Sequence, residues 1–188
     1  MKADGTLETA RLRIRPWHDT EADRRFFHRI NHDEQVMRFY PWRQTREEAD
    51  EKLDQIRARA AEVGFGWAVA EMRDSGTPVG FTGLSRLHDD SIAAGAVEIG
   101  WRYVPESWGN GLASEAARAL LAHGFDELGL DRIIAFAVDS NQASIAVMQR
   151  IGMTARPELD FDHPGVPDTH PQLRHHVFYE MFAGDPRP

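Results

Sequence analysis

The chain has 188 residues, a net charge of −8 and no cysteine. Its length suits one domain with its own hydrophobic core, and the lack of cysteine excludes disulfides, thiolate zinc sites and cysteine nucleophiles. The acidity argues against a basic nucleic-acid surface, and no apolar run approaches the ~20 residues that span a membrane.

The opening Met1-Lys-Ala-Asp-Gly-Thr6 has no apolar signal region, so a cytoplasmic protein is expected. No repeat or linker divides the chain. One domain over 1–188, with its core at about 7–182, is the expected organisation. Arg11-Leu-Arg-Ile-Arg-Pro16 alternates polar and apolar residues and reads as a strand stopped by proline. Asp19 can cap a helix running to about Asn31, with Ala22, Phe26, Phe27 and Ile30 on one face. Thr45-Arg-Glu-Glu48 is a capping box for a second helix reaching about Val63, with Ala49, Leu53, Ile56 and Ala60 inward.

Strands come next: Gly66 to Met72, a Ser75-Gly76 turn, Val79 to Leu87, and Ala96 to Val104 beyond a polar Asp89-Asp90 loop. A helix from near Ala113 to about Leu128 precedes Gly129, which can terminate it. Arg132 to Val138 is apolar enough for a central strand buried on both faces. A short helix, Asn141 to Ile151, stops at Gly152, and His176 to Phe182 is a final strand. This order predicts an α+β fold with a mixed, mostly antiparallel central sheet flanked by helices, not the regular alternation of a doubly wound fold.

The richest segment is the junction between the strand ending at Val104 and the helix opening near Ala113. Gly109 and Gly111 let backbone N–H groups turn toward one point, and the helix N-terminus adds partial positive charge there. Such a turn binds an anion, and the pyrophosphate of a nucleotide-bearing cofactor fits it best. A dinucleotide fingerprint would need a third glycine, which the spacing does not supply, and a parallel βαβ unit, whereas the preceding strands read as hairpin-connected.

The segments Glu98-Ile-Gly-Trp101, Trp108-Gly-Asn-Gly-Leu-Ala113 and Asn141-Gln-Ala-Ser144, with Arg150-Ile-Gly-Met153, resemble the GNAT superfamily of N-acetyltransferases. The Leu12-Arg-Ile-Arg-Pro16 opening and the Trp-Gly-x-Gly-x-Ala turn resemble its branch of ribosomal-protein N-terminal acetyltransferases (RimJ/RimL-like). The resemblance implies the GNAT acyl-CoA N-acyltransferase fold and transfer of an acetyl group from acetyl-CoA to a primary amine, without a metal. The acceptor would be a protein N-terminus or a small molecule, met by direct attack in a ternary complex. It also implies that Gly109, Asn110, Gly111, Leu112 and Ala113 cradle the pyrophosphate. Arg102 (through its backbone) and Val104 would border the acetyl-pantetheine arm, which Asn141 and Ser144 would also contact. Trp108 stands where the superfamily signature has Gln or Arg, leaving the backbone cradle intact.

An attacking amine must lose a proton, and the departing thiolate gains from receiving one. Glu98 shares a strand face with Gly100, Arg102 and Val104, so it is the candidate base; pairing with a neighbouring arginine would leave it purely structural. Many superfamily members carry a tyrosine as acid where this chain has Met148, and a thioether donates no proton. The branch resemblance puts Ser144 in that role, although serine near a helix start often caps backbone amides. Tyr103 and Tyr179 are alternatives. The Asp160–His176 segment, rich in Asp and His, reads as a substrate-facing loop or a solvated connection, without metal-ligand spacing. Tyr40-Pro-Trp42, between the early helices, is the aromatic group best placed to meet a ligand; Trp17 and Phe39 stand near it. The vacant tyrosine position leaves a second reading open, a non-catalytic acyl-CoA-binding or sensor module on the same fold. Nothing in the sequence sets the oligomeric state, for which a homodimer is the commonest closed form.

Overall fold

The computed structural model describes residues 5–87, 93 and 95–188. Two short antiparallel strands, β1 (Leu7–Glu8) and β2 (Leu12–Arg15), open the sheet. On β2, Leu12 and Ile14 enter the core while Arg13 and Arg15 turn to Glu71, as the alternation requires. Helix α1 (Glu21–His32) is capped by Thr20, whose hydroxyl accepts from the Asp23 N–H, and not by Asp19, which pairs with Arg24. Phe26, Phe27 and Ile30 are buried as expected, but Ala22 is exposed, and Asp23 and Asn31 take inward positions instead.

Asp23 goes in because it is satisfied there: its carboxylate accepts from Arg15 Nη1 and Nη2 at 2.8 and 2.9 Å and from the His18 N–H at 2.8 Å. Desolvation pushes the Asp23 carboxyl up, but the Arg15 and His18 hydrogen bonds outweigh it and hold the group below the usual carboxylate range. Its contribution is therefore full above the unfolded-state value and fades as pH falls through the folded one. Asp23→Ala, which leaves Arg15 to Glu71 and takes the acceptor from the His18 N–H, is expected to cost about 2 kcal/mol in urea unfolding.

A 3-10 turn (Met37–Phe39) leads to α2 (Arg46–Val63), whose Thr45/Glu48 capping box forms in full and which ends on Gly64. Ala49 and Leu53 are buried, whereas Ile56 and Ala60 are half-buried. Strands β3 (Trp67–Met72), β4 (Pro78–Arg86) and β5 (Val97–Tyr103) then form an antiparallel meander. The Asp89-Asp90 loop lies outside the described residues. Helix α3 (Leu112–Asp126) returns across the sheet to β6 (Arg132–Val138). The helix breaks two residues earlier than expected, and Gly129, at φ 65°, serves the return of the chain, in which Leu130 N–H donates to Gly124 O. Helix α4 (Gln142–Arg150), β7 (Thr154–Ala155), β8 (Phe161–Asp162) and β9 (His175–Phe182) complete the chain.

The sheet runs β1-β2-β3-β4-β5-β6-β9-β7, with β8 also on β9. All its pairings are antiparallel except β5–β6, which holds register for only Val97↔Ile133 and Glu98↔Ile134. Beyond those two pairs the neighbours diverge and open a wedge in the middle of the sheet. One face packs α3 and α4 over Leu84, Val97, Ile99, Ile133 and Met181. The other packs α1 and α2 over Val69, Phe81 and Val104, with Trp17 against Phe26, Phe27 and Phe81. Val138, Val166 and Leu173 form a small third cluster against Phe39, so the 160–176 segment is packed down next to the α1–α2 connection.

Candidate active site

Helices α1, α2 and α4 each have a side chain satisfying their N-terminal amides (Thr20, Thr45 and Asn141). Helix α3 has none: its N-cap is Gly111. Among the described residues, the N–H groups of Gly109 through Ser114 have no protein acceptor. Those donors converge because Gly109 and Gly111 both adopt left-handed backbone, φ 77° and 74°, which other residues resist.

The turn is rigid. Trp108 Nε1 donates to Tyr103 O at 2.8 Å, Ser107 Oγ to Val104 O at 2.7 Å, and Asn110 Nδ2 to Trp108 O at 3.1 Å. Arg11 clamps it from outside: its Nη1 donates to Asn110 O at 2.9 Å, and its Nε and backbone N–H donate to Glu115 at 2.6 and 2.8 Å. Thr9 adds a third donor to Glu115 at 2.5 Å. Burial alone would push the Glu115 carboxyl up, yet Thr9 and Arg11 together hold it below its usual value. Glu115, which lines the groove beside this turn, thus stays charged with its carboxylate taken up by Thr9 and Arg11.

A groove of about 1100 Å³ starts at this turn and brings together most of the sequence candidates: Arg102, Gly109, Gly111, Leu112, Ala113, Asn141 and Ser144. Three candidates stand outside its lining. Val104 is buried in the core beneath α1 and α2, Asn110 turns its amide back onto the turn, and Glu98 lies deeper along β5. Sequence reasoning missed the arginines that line the groove with Arg102, namely Arg11, Arg38, Arg118 and Arg150. Arg11 opens the first strand pattern and Arg150 the Arg150-Ile-Gly-Met153 segment; Arg38 and Arg118 are single arginines on helical surfaces, where a solvated charge is the ordinary expectation.

Glu98 has no hydrogen-bond donor among the described residues. Desolvation pushes its carboxyl up to about 7, and the nearby Arg102 charge only partly opposes this. Gly100, between them on the same strand face, lies under the Trp67 ring. A carboxylate desolvated with only a partial counter-charge, next to a cleft, is a candidate functional group.

Ser144 lines the groove, and its hydroxyl makes no hydrogen bond among the described residues; Asn141 Oδ1 caps α4 by accepting from the Ser144 N–H at 3.2 Å. Met148 is buried in the core at 1% exposure. Of the alternative tyrosines, Tyr179 stands outside the groove lining and accepts from Gln149 Nε2 at 3.4 Å. Tyr103 lines the groove, but its hydroxyl is buried with no partner among the described residues and its ionisation is pushed up by burial. Tyr40 is 46% exposed and lines the groove, whereas Trp17 is core and Trp42 lies outside the lining. The described residues contain no group of three His, Asp or Glu side chains able to hold a metal ion, and no described helix is long and apolar enough to cross a membrane.

The geometry agrees with what related proteins are called. An uncharacterized N-acetyltransferase of Bacillus subtilis, YoaA, is 33% identical over 150 residues, covering 78% of this chain and 81% of its own. The FsC-acetyl coenzyme A-N(2)-transacetylase of Aspergillus fumigatus is 33% identical over 161 residues, 82% of this chain and 67% of that one. The crystal structure of a GNAT-family acetyltransferase from Bacillus anthracis superposes with a TM-score of 0.77 at 25% identity, covering 96% of this chain and 99% of its own. The family model of the acetyltransferase (GNAT) domain matches residues 11–154. The chain is a member of the GNAT family of acetyltransferases.

Proposed function

We propose that this acyltransferase moves the acetyl group of acetyl-CoA directly onto a primary amine, with Glu98 as the base. The observation that carries this reading is the open N-terminus of α3, where free amides and groove arginines face one another in a protein whose net charge is −8. The pyrophosphate would rest on the amides of Gly109 to Ala113. The pantetheine arm would enter the wedge between β5 and β6, beside Arg102 and Val104, and take the hydrogen bonds that β6 leaves unmade, as an added strand does. Asn141 and Ser144 flank that path from α4.

The acceptor amine forms the new C–N bond as the C–S bond breaks. Its proton passes to Glu98, through water because Glu98 lies behind the groove lining, and the thiolate takes a proton from Ser144 or solvent. A base titrating near 7 is largely deprotonated at cellular pH yet still basic enough to accept. Ser144→Ala is expected to lower kcat about tenfold and leave the acetyl-CoA KM within about twofold; an unchanged kcat would assign thiolate protonation to solvent.

The name of the Aspergillus relative, an acetyl coenzyme A transacetylase, supports the donor assignment. Thiol release from acetyl-CoA, measured over a panel of amines alongside calorimetric binding of acetyl-CoA, tests the whole reading. Binding without amine-dependent release would make the protein an acyl-CoA-binding module instead.

A further inference from the structure

Acids outnumber bases in this chain, 30 to 22, and its buried guanidinium groups generally have carboxylate partners, as Arg15 has Asp23 and Glu71. Arg102 departs from this pattern. It is half-buried, lines the groove, and makes no ion pair with a carboxylate among the described residues, its charge reaching Glu98 only at longer range. The protein nevertheless holds it firmly. Its guanidinium lies 4.2 Å over the Tyr40 ring and 5.2 Å from the Phe81 ring, and its Nη1 donates to Asn31 Oδ1. Asn31 is itself fixed, donating from Nδ2 to Phe27 O at 2.7 Å within α1.

The side of the sheet on which Arg102 sits decides which anion it meets. Ile99 and Tyr103 point toward α3, so Arg102 points to the opposite face, toward α1 and the Met37–Phe39 turn. The phosphate-holding end of α3 is therefore across β5 from this guanidinium. Arg118 and Arg150, between α3 and α4, are nearer the nucleotide side of the groove; Arg118 Nη2 donates to Arg150 O at 2.6 Å. An anion reaching Arg102 comes from the α1–α2 side, where Tyr40 roofs the groove. On the same strand face, two positions of the same parity away, stands Glu98, about 13 Å distant by Cα spacing.

We propose that Arg102 receives the carboxylate of the acceptor, and that the acceptor is a small amino acid or similar molecule whose amine and carboxylate lie close together. The planar guanidinium, already stacked and tethered through Asn31, presents its remaining N–H groups as a fork that a carboxylate fills. The carboxylate anchored there sets the neighbouring amine toward the wedge, with Glu98 beyond it. A polyamine, by contrast, would bring a second positive charge against Arg102. This inference rests on the acetyl-transfer reading above and narrows its acceptor to one class.

The test is a steady-state comparison of the standard α-amino acids with their α-carboxamides and their decarboxylated amines, using acetyl-CoA as donor. At least one amino acid is expected to exceed its carboxamide by tenfold or more in kcat/KM. That ratio should collapse toward one in Arg102→Gln and recover in part in Arg102→Lys, whose charge survives without the fork. Carboxamides or plain amines turning over as well as the acids would overturn the assignment and leave acetyl transfer intact. So would a ratio that survives Arg102→Gln, or a variant whose main defect is a tenfold loss of acetyl-CoA affinity, since the anion would then belong to the donor. If no amine of any class reacts while acetyl-CoA still binds, acetyl transfer itself fails, and this assignment with it.

Discussion

At pH 8, Glu98→Gln is expected to lower kcat/KM at least ~100-fold while leaving the melting temperature equal to or above that of the wild type. The two halves have one cause. Glu98 is desolvated without a donor, so its carboxyl titrates at about 7 instead of the ordinary 4.5. Between those values the folded protein holds a proton that the unfolded chain has lost, so stability falls as pH rises through that window. Above about 7 the folded state carries a carboxylate that Arg102 compensates only in part, destabilising but able to take a proton. Glutamine has the same shape and cannot ionise, so it relieves the strain and removes the base. The wild-type rate should climb through pH 7, and the variant's profile should lack that limb. A variant with normal turnover, or one that melts several degrees lower, would show Glu98 to be structural.

Gly109→Ala and Gly129→Ala should cost similar stability, about 1–2 kcal/mol each, yet differ sharply in ligand affinity. Both glycines have left-handed backbone, φ 77° and 65°, and a methyl at either meets no protein atom within 4 Å. The strain is matched; only the location differs. Gly129 lies beyond the far end of α3, whereas Gly109 sets the direction of the amides at its beginning. Turning those amides aside forfeits hydrogen bonds to a charged group, so acetyl-CoA should bind at least tenfold more weakly to Gly109→Ala, by calorimetry, with no change for Gly129→Ala. Equal affinities in the two variants would remove the turn from the binding site.

Local signals explain what the sequence made legible. Thr45 with Glu48 marks its helix start because both hydrogen bonds of the box are between near neighbours. The glycine turn is readable because positive φ is a property of single residues. Asp19 reads as a cap, but Thr20 offers an equivalent oxygen one residue on, and Arg24 decides between them by drawing Asp19 away. Ala22 reads as inward by its apolar character, but Arg15 and the His18 N–H make room for a carboxylate at Asp23 instead. The site shows the same division. The candidates on the α3 turn and the start of α4 meet in one groove, but Arg11, Arg38, Arg118 and Arg150 gain meaning only from residues distant in sequence. The burial of the Tyr103 hydroxyl, and the engagement of Tyr179 by Gln149, likewise depend on packing that no local pattern contains.

The two-pair contact between β5 and β6 has a consequence for how this protein coexists with its neighbours in a crowded cell. An unpaired strand edge ordinarily invites the strand of another chain, and sheets protect their rims against such pairing. Here the open edge is interior. It is walled by β6 on one side, and helices pack over both faces of the sheet, so the strand of another chain would have to enter between two layers of helix instead of docking at a rim. The fold thereby keeps unpaired hydrogen-bonding groups of β5 away from the outer edges of the sheet, where strands of other proteins add.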